Sequence, residues 1–362
     1  MEFGIALATD ATSWQVVERA EALGFASAWF YDTQMLSADC FVAMGAAAVK
    51  TRRIRLGTGV LIPSNRIAPV AANAFATLNK LAPGRIDFGV GTGFTGRRAM
   101  GLGAMRLADM ETYIRQVQGL LAGQIVDAEF EGKSHPIAFL NPELGLINLA
   151  DPVALHVSAY GPRAQALTAR LGAGWLNFVG DDAGGLAALE AMRGAWTAAG
   201  HAPAGLRATA FALGCVLAPG ETPDSPRAMA QAGPRAAVLL HRAADAALAG
   251  LPNTSAIPPG VAAEVAGYVA AQRAAGTDGA HYLRNHRGHL MVVRPEERPF
   301  VTEALIRATT FTGTQAALAA RIAALGAAGY TQFTVQLVPG QEDAIEDWAA
   351  IMRVVNGAAG GD

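Results

Sequence analysis

Apolar positions along the chain switch between the two-residue period of a strand and the spacing of a helix, and the alternation predicts eight strand–helix repeats. Phe3 to Ala8 reads as a buried strand, and Thr12-Ser13-Trp14-Gln15 then supplies a capping-box pattern before Val16, Ala20 and Leu23 at helical spacing, closed by Gly24. A second strand, Ala28 to Tyr31, ends at Asp32 and precedes a helix from Phe41 to Val49. Ile54 to Val60 is the third strand, followed by the Pro63 loop and a helix with Val70, Ala74, Leu78 and Leu81 on one face. Ile86 to Val90 is the fourth, and Met110, Ile114, Val117 and Leu121 mark a helix packed on one side.

The rhythm breaks over residues 122–151, a mixed polar and proline segment read as an insertion. Ala154 to Ala159 restores it as strand five, and Gly161-Pro162 opens a helix with proline where a missing N–H costs nothing. Gly174 to Phe178 is strand six, with its helix at Leu186 to Ala199, and Arg207 to Leu217 is strand seven. Residues 218–300 form a long, proline-rich insertion with at least two alanine-rich helices and the cluster His281 to His289; loops of that length serve as lids or binding elements. Thr314 caps a helix through Leu318, Ile322 and Leu325, Thr334 to Val338 is strand eight, and Ile345 to Val355 closes the chain. The pattern argues an α/β fold, a (β/α)₈ TIM barrel in one domain over 1–362, with insertions after strands four and seven. Its functional face lies where the strands end.

One strand end stands out. Gly91-Thr92-Gly93-Phe94-Thr95-Gly96 bares the backbone for close approach by a ligand. It satisfies GxGxxG spacing, but the acidic strand end that a Rossmann fingerprint requires does not follow. A net charge of -2 over 362 residues provides no basic footprint for nucleic acid and no field for membranes, so the expected partner is a small molecule. Cys40 and Cys215, with no CxxC spacing, read as buried small hydrophobes of a reduced compartment. With no secretory signal pattern at Met1 and no apolar run long enough to span a bilayer, the expected location is cytoplasmic.

Several separated segments resemble the luciferase-like family of flavin- and deazaflavin-dependent oxidoreductases, in the branch similar to methylenetetrahydromethanopterin reductase. They are Tyr31-Asp32-Thr33-Gln34, Ile54 to Val60 with Pro63 and Arg66, Ala76-Thr77-Leu78 through Pro83-Gly84-Arg85, Gly89 to Gly93, Ser158 to Pro162, and Phe311 to Thr314. The resemblance implies a cofactor of the flavin type, its ring near Gly59, Val60, Gly91, Thr92 and Gly93, its phosphate on the loop Ala159, Tyr160, Gly161, Pro162, with Asn177 nearby. A helix N-terminus offers that phosphate free N–H groups and a favourable dipole. The family often carries a cis peptide at the Gly59-Val60 position, and a homodimer is expected.

Asp32 sits where related enzymes place an acid beside the ring, although such an Asp also serves as a turn cap. His286 and His289, in the late insertion, are the other catalytic candidates, as imidazole donors to an oxyanion or peroxide. Thr33, Arg66 and Phe94 are candidates for contacting substrate; Thr33 and Phe94 replace a histidine and a glutamate of some deazaflavin dehydrogenases, and Arg66 could equally be a solvated surface charge. His156 reads as structural, and His135, His201 and His241 carry no spacing that suggests a metal, so no metal ligands are assigned. The departures favour FMN, or reduced FMN supplied by a partner flavin reductase, and a monooxygenase; the alternatives are F420 with hydride transfer, and a silent flavin-binding protein. A redox-free barrel lyase would need a lysine or paired carboxylates at the strand ends, which hold glycine, asparagine and Asp32.

Overall fold

In the computed structural model, which describes residues 1–250, 256–276 and 279–358, the strands predicted from apolar periodicity wrap into a ring. They are β1 (Glu2–Leu7), β2 (Ser27–Phe30), β3 (Arg55–Thr58) and β4 (Ile86–Val90), then, after a hairpin of β5 (Val126–Phe130) and β6 (Lys133–Ile137), β7 (Ala154–Ser158), β8 (Gly174–Phe178), β9 (Ala208–Ala212) and, late in the chain, β12 (Gln332–Leu337). The order β1-β12-β9-β8-β7-β4-β3-β2 closes a barrel, and every pairing within it is parallel. The expected (β/α)₈ architecture is therefore observed. The hairpin occupies the first insertion, where its polar and proline content suits an edge ribbon with most residues exposed or half-buried.

The outer layer comprises α1 (Trp14–Leu23), α2 (Cys40–Lys50), α3 (Ala68–Leu81), the one-turn α4 (Phe94–Arg98), α5 (Leu107–Leu121), α6 (Pro162–Arg170) and α7 (Asp182–Ala198). Two local expectations fail. No capping box forms on α1, because Ser13 Oγ accepts from the Asp10 N–H and Asp10 itself organises the turn through Thr12. On α3 the buried face is Ala71, Ala72, Phe75 and Leu78, whereas Val70 (51% exposed) and Leu81 (45%) point outward. Alanines let that helix approach the barrel closely enough for Phe75 to pack on Phe88 at 4.9 Å and Phe41 at 5.0 Å, which the bulkier face would prevent.

The predicted seventh strand is also shorter than its apolar run. The barrel strand stops at Ala212, and β10 (Val216–Leu217) turns away to pair with β11 (Gly313–Thr314). Gly214 makes this exit possible, since a Cβ there would lie 1.8 Å from the Phe311 carbonyl oxygen. The second insertion is built of α8 (Pro226–Ala249), α9 (Ala262–Ala274), α10 (His281–Asn285) and α11 (Glu303–Thr309). These helices enclose an apolar core of their own, including Leu240, Val265, Tyr268, Val301 and Leu305, beside the main core between the barrel and its helices. Helices α12 (Gln315–Ala328), N-capped by Thr314, and α13 (Ile345–Ala358) complete the ring.

Cys40 and Cys215 are free and buried, and burial pushes the Cys215 thiol up to about 12. His156 lies inside the barrel, 3.4 Å from Asp87 and edge-on to Trp29, and Gly174 leaves it room.

Candidate active site

Ala6, Trp29, Tyr31, Leu176 and Phe211 fill the barrel interior, and Val60, Phe178 and Leu290 pack on them. The Tyr31 hydroxyl donates to Gln336 Oε1 at 3.1 Å, and Gln336 Nε2 donates to the Leu290 carbonyl at 2.7 Å, so the insertion is tied to the strand ends. At the rim the Gly59-Val60 peptide is cis. A Cβ on Gly91 would lie 2.7 Å from Val60 Cγ2, and Gly93, at φ 75°, turns the chain directly into α4. The Thr92 carbonyl accepts from the Met105 N–H at 2.9 Å.

Across the rim, α6 begins at Gly161 with Pro162 in its first turn and no side-chain cap. Nothing lies within 4 Å of where a Gly161 Cβ would be, and Tyr160 is 56% exposed, so this end of the helix faces open space as a phosphate would require. Ala159 is buried, its carbonyl accepting from Trp175 Nε1 at 2.7 Å. The Asn177 side chain points away from the barrel axis: its Nδ2 donates to the Tyr330 hydroxyl at 2.9 Å in the helix layer, because alternate residues of β8 face opposite sides.

Asp32 is buried and saturated. One oxygen accepts from Arg66 Nη1 at 2.8 Å; the other accepts from the Ile62 N–H and from Asn65 Nδ2, both at 3.0 Å. Arg66 also reaches Asp39 and lies 5.0 Å from the Phe41 ring, so it is an ion-paired and not a solvated surface charge. Despite the cost of burial, these carboxylates hold its pKa above the ordinary arginine value. Thr33 Oγ1 shares a hydrogen bond with Ser37 Oγ at 2.7 Å. Asp32 and Arg66 thus form one hydrogen-bonded patch at one side of the rim, with half-buried Thr33 beside it.

The insertion brings a second group over the glycine loop. Thr95 Oγ1 lies 3.3 Å from His289 Nε2; His289 Nδ1 is 3.0 Å from His241 Nδ1; and His241 Nε2 is 2.5 Å from Glu297 Oε1. Glu297 accepts, so His241 carries its proton on Nε2; its bare Nδ1 then accepts from His289 Nδ1–H, which leaves His289 Nε2 free to accept from the Thr95 hydroxyl. His286 Nε2 donates to Asp245 at 3.0 Å, and its other nitrogen is buried without a partner. Asp245 and Glu297 are in turn paired with Arg98 and Arg294. Burial raises both carboxylates, but His286 and Arg98 around Asp245, and His241 and Arg294 around Glu297, hold them below their ordinary values. Burial, then the neighbouring His241, His286, Arg242 and Arg235, pushes His289 well below the usual imidazole value; burial also lowers His241. The imidazole relay is therefore neutral at pH 7.

His286 and His289 lie in a long loop but are buried, and His241, dismissed for lack of metal-ligand spacing, is their partner. One ring nitrogen from each lies within 4.8 Å of the others, a group able to hold a metal ion. Arg235 and Arg242, however, face the same region and oppose a dication there. Phe94 is sandwiched by guanidinium groups, Arg98 at 3.5 Å and Arg242 at 4.7 Å from its ring centroid. Residue spacing on α8 could have pointed to this: Arg235, His241, Arg242 and Asp245 fall on one stripe of an otherwise apolar helix.

A closed parallel barrel, with its bare-backbone loop and uncapped helix start at the C-terminal strand ends, defines the class: a (β/α)₈ TIM barrel. Residues 11–332 match the luciferase-like monooxygenase family, and the chain belongs to that family; it is a luciferase-like oxidoreductase. Among curated relatives, an F420-dependent glucose-6-phosphate dehydrogenase of Beutenbergia cavernae is 39% identical over 141 residues, 37% of this chain and 40% of the relative. A 5,10-methylenetetrahydromethanopterin reductase of Archaeoglobus fulgidus is 29% identical over 181 residues, 49% of this chain and 52% of the relative. The chain thus spans about half, or less, of the curated relatives it matches. Among solved structures, the coenzyme F420-dependent tetrahydromethanopterin reductase of Methanopyrus kandleri superposes with a TM-score of 0.67 at 20% identity, covering 96% of this chain and 97% of its own. The FMN-bound oxygenating constituent of 3,6-diketocamphane monooxygenase from Pseudomonas putida does so with 0.62 at 14%, covering 97% and 95%. No helix among the described residues is long and apolar enough to cross a membrane.

Proposed function

We propose that the chain is an F420-dependent oxidoreductase that transfers a hydride between cofactor and a small organic substrate without using oxygen. The observation that carries this reading is the sequence similarity to F420-dependent dehydrogenases and reductases, such as the 39% identity over 141 residues with the relative described above. It moves the weight from FMN, the cofactor favoured by sequence reasoning, to F420; the similarity to FMN-bound structures, at 14% identity, speaks to the fold alone. When bound, F420 supplies two-electron hydride chemistry, and the protein supplies orientation and proton handling. Gly161, Pro162 and the uncapped start of α6 fit its phosphate, and Val60 with Gly91 and Gly93 fits one face of its ring.

Oxidising an alcohol, or reducing a carbonyl, also moves a proton. Thr33 and Phe94 lack the histidine and glutamate that the family resemblance associates with this role, and in our reading the insertion provides a substitute. His289 takes the proton at Nε2 and releases the one on Nδ1 to His241, which passes its own Nε2 proton to Glu297. Arg294 then stays as the positioning partner of Glu297.

Fluorescence titration of the purified chain with F420 and with FMN tests the reading. F420 is expected to bind with Kd below about 100 μM, about -5.5 kcal/mol, and more tightly than FMN. A chain that bound FMN but not F420, or that consumed oxygen during turnover, would refute it.

A further inference from the structure

Three histidines that lie far apart or loosely spaced in the sequence share one small volume of the cap. His241 sits on α8, His286 closes α10, and His289 lies in the turn that follows. They are 1%, 2% and 5% exposed, and their ring centroids form a triangle of 5.2, 5.5 and 6.0 Å.

The outer hydrogen bonds decide which nitrogens are left to face one another. Glu297 engages His241 Nε2 at 2.5 Å, Asp245 engages His286 Nε2 at 3.0 Å, and His289 Nε2 lies 3.3 Å from Thr95 Oγ1. Each ring therefore keeps its Nδ1. Those of His241 and His289 are 3.0 Å apart, and that of His286 is buried without any hydrogen-bond partner. Hiding a lone pair from water with nothing to receive it is costly, and a bound cation removes that cost. Metal–nitrogen bonds of about 2.0–2.1 Å place tetrahedral ligands roughly 3.3 Å from one another. The His241–His289 pair is already near that spacing, and one nitrogen from each of the three rings lies within 4.8 Å of the others. The shell behind them is complete as well, because a metal-bound imidazole gives its second N–H to a carboxylate or another oxygen, which fixes its tautomer and raises its basicity.

Access and charge also bear on the site. His286 lines a cavity of about 250 Å³, together with Met35, Tyr282, Arg287 and Met291, which provides a way in for an ion. Arg235 and Arg242 act against a dication and so limit its affinity. Against them stand the carboxylates of Glu297 and Asp245 directly behind two of the rings, and Asp245 acts on Arg242 too.

We propose that His241, His286 and His289 bind a transition-metal ion of the zinc type through their three Nδ1 atoms. Imidazole nitrogens suit such ions and give calcium or magnesium little to hold. On binding, His289 moves its proton from Nδ1 to Nε2, where Thr95 Oγ1 accepts it, so three neutral imidazoles present three bare lone pairs and no proton is lost. The ion replaces the hydrogen bond between His241 and His289, and the metal-bound form therefore cannot run the proton relay. That last consequence rests on the proposed function; the metal site does not.

The untagged full-length chain, stripped with EDTA, is titrated with Zn²⁺ by calorimetry and with Co²⁺ by visible absorption, in wild type, H286Q, H241Q and H135Q, a control at an exposed histidine, with folding checked by circular dichroism. One Zn²⁺ per chain is expected with Kd below about 10 μM, unchanged in H135Q and weakened at least tenfold in H286Q and H241Q. Two readouts need no variant: zinc-edge X-ray absorption of the wild-type complex should count three imidazole ligands, and the low-field proton resonance of His289 Nδ1–H should vanish at one equivalent of Zn²⁺. No stoichiometric binding by wild type, equal affinity in folded H286Q, fewer than three imidazoles at the zinc, or persistence of that resonance overturns the site. If F420 fails to bind while zinc binding still depends on His286, the cofactor reading falls and the metal site stands.

Discussion

His241 and His289 meet nitrogen to nitrogen, Nδ1 to Nδ1 at 3.0 Å, across 48 residues of sequence and directly over Thr95. The pair ends at Glu297 on one side and at the glycine loop on the other, so a proton has a continuous path between buried carboxylate and rim.

Breaking that path should slow chemistry without emptying the site. For His289→Gln we expect kcat to fall about 10²- to 10³-fold, the scale of general acid–base catalysis, with F420 affinity preserved. Glu297→Gln, acting one imidazole further away, should lower kcat less and shift the acid limb of the kcat–pH profile. A purely structural role would leave that limb in place.

The same histidines couple stability to pH. His241 and His289 are held neutral in the fold, their pKa values below the ordinary value of 6.5. A depressed imidazole lets the unfolded chain bind more protons, so the stability present above pH 6.5 is lost as pH falls below it, by about 1.4 kcal/mol per unit for each such group. Urea unfolding at pH 7.5, 6.0 and 5.0 should show this loss in wild type and a shallower slope in His289→Gln.

Asp32 should prove structural. Asp32→Asn weakens the contact with Arg66 at 2.8 Å and leaves the guanidinium to Asp39, so it should cost about 2 kcal/mol in urea unfolding. F420 affinity should stay within about threefold; a tenfold loss with normal stability would restore Asp32 to the cofactor site.

Glycines in and around the loop differ sharply in what they permit. A Cβ on Gly89 would sit 2.0 Å from the Thr58 carbonyl oxygen, backbone that cannot yield, whereas Gly103 has nothing within 4 Å. Gly89→Ala should therefore cost about 3 kcal/mol or fail to fold, and Gly103→Ala should stay within about 0.5 kcal/mol, read by thermal unfolding. Gly91→Ala, which must move Val60, is the intermediate case and should raise the F420 Kd about tenfold.

The barrel was legible because each of its strands is a short apolar run stopped by a turn residue, a signal local enough to read from β1 to β12. Gly161-Pro162 was equally plain, since proline at a helix start has a fixed meaning. The α3 face misled because Val70 and Leu81 outrank alanine on any hydropathy scale, while it is the alanines that permit close approach to the barrel. Arg66 misled because its partners, Asp32 and Asp39, come from another strand end and the following loop. The relay was hidden for a different reason: its members are 48 and 56 residues apart, and only the folding of α8 back over the loop makes them neighbours.

The separate apolar core beneath α8, α9 and α11 means that the insertion is a folded cap and not a loose loop. Arg235, Arg242, His241, His289 and Glu297 all belong to that cap, whereas the bare glycines and the uncapped α6 belong to the barrel. Because each of the two rests on its own apolar core, a side chain on the cap can be changed without disturbing the packing that closes the barrel.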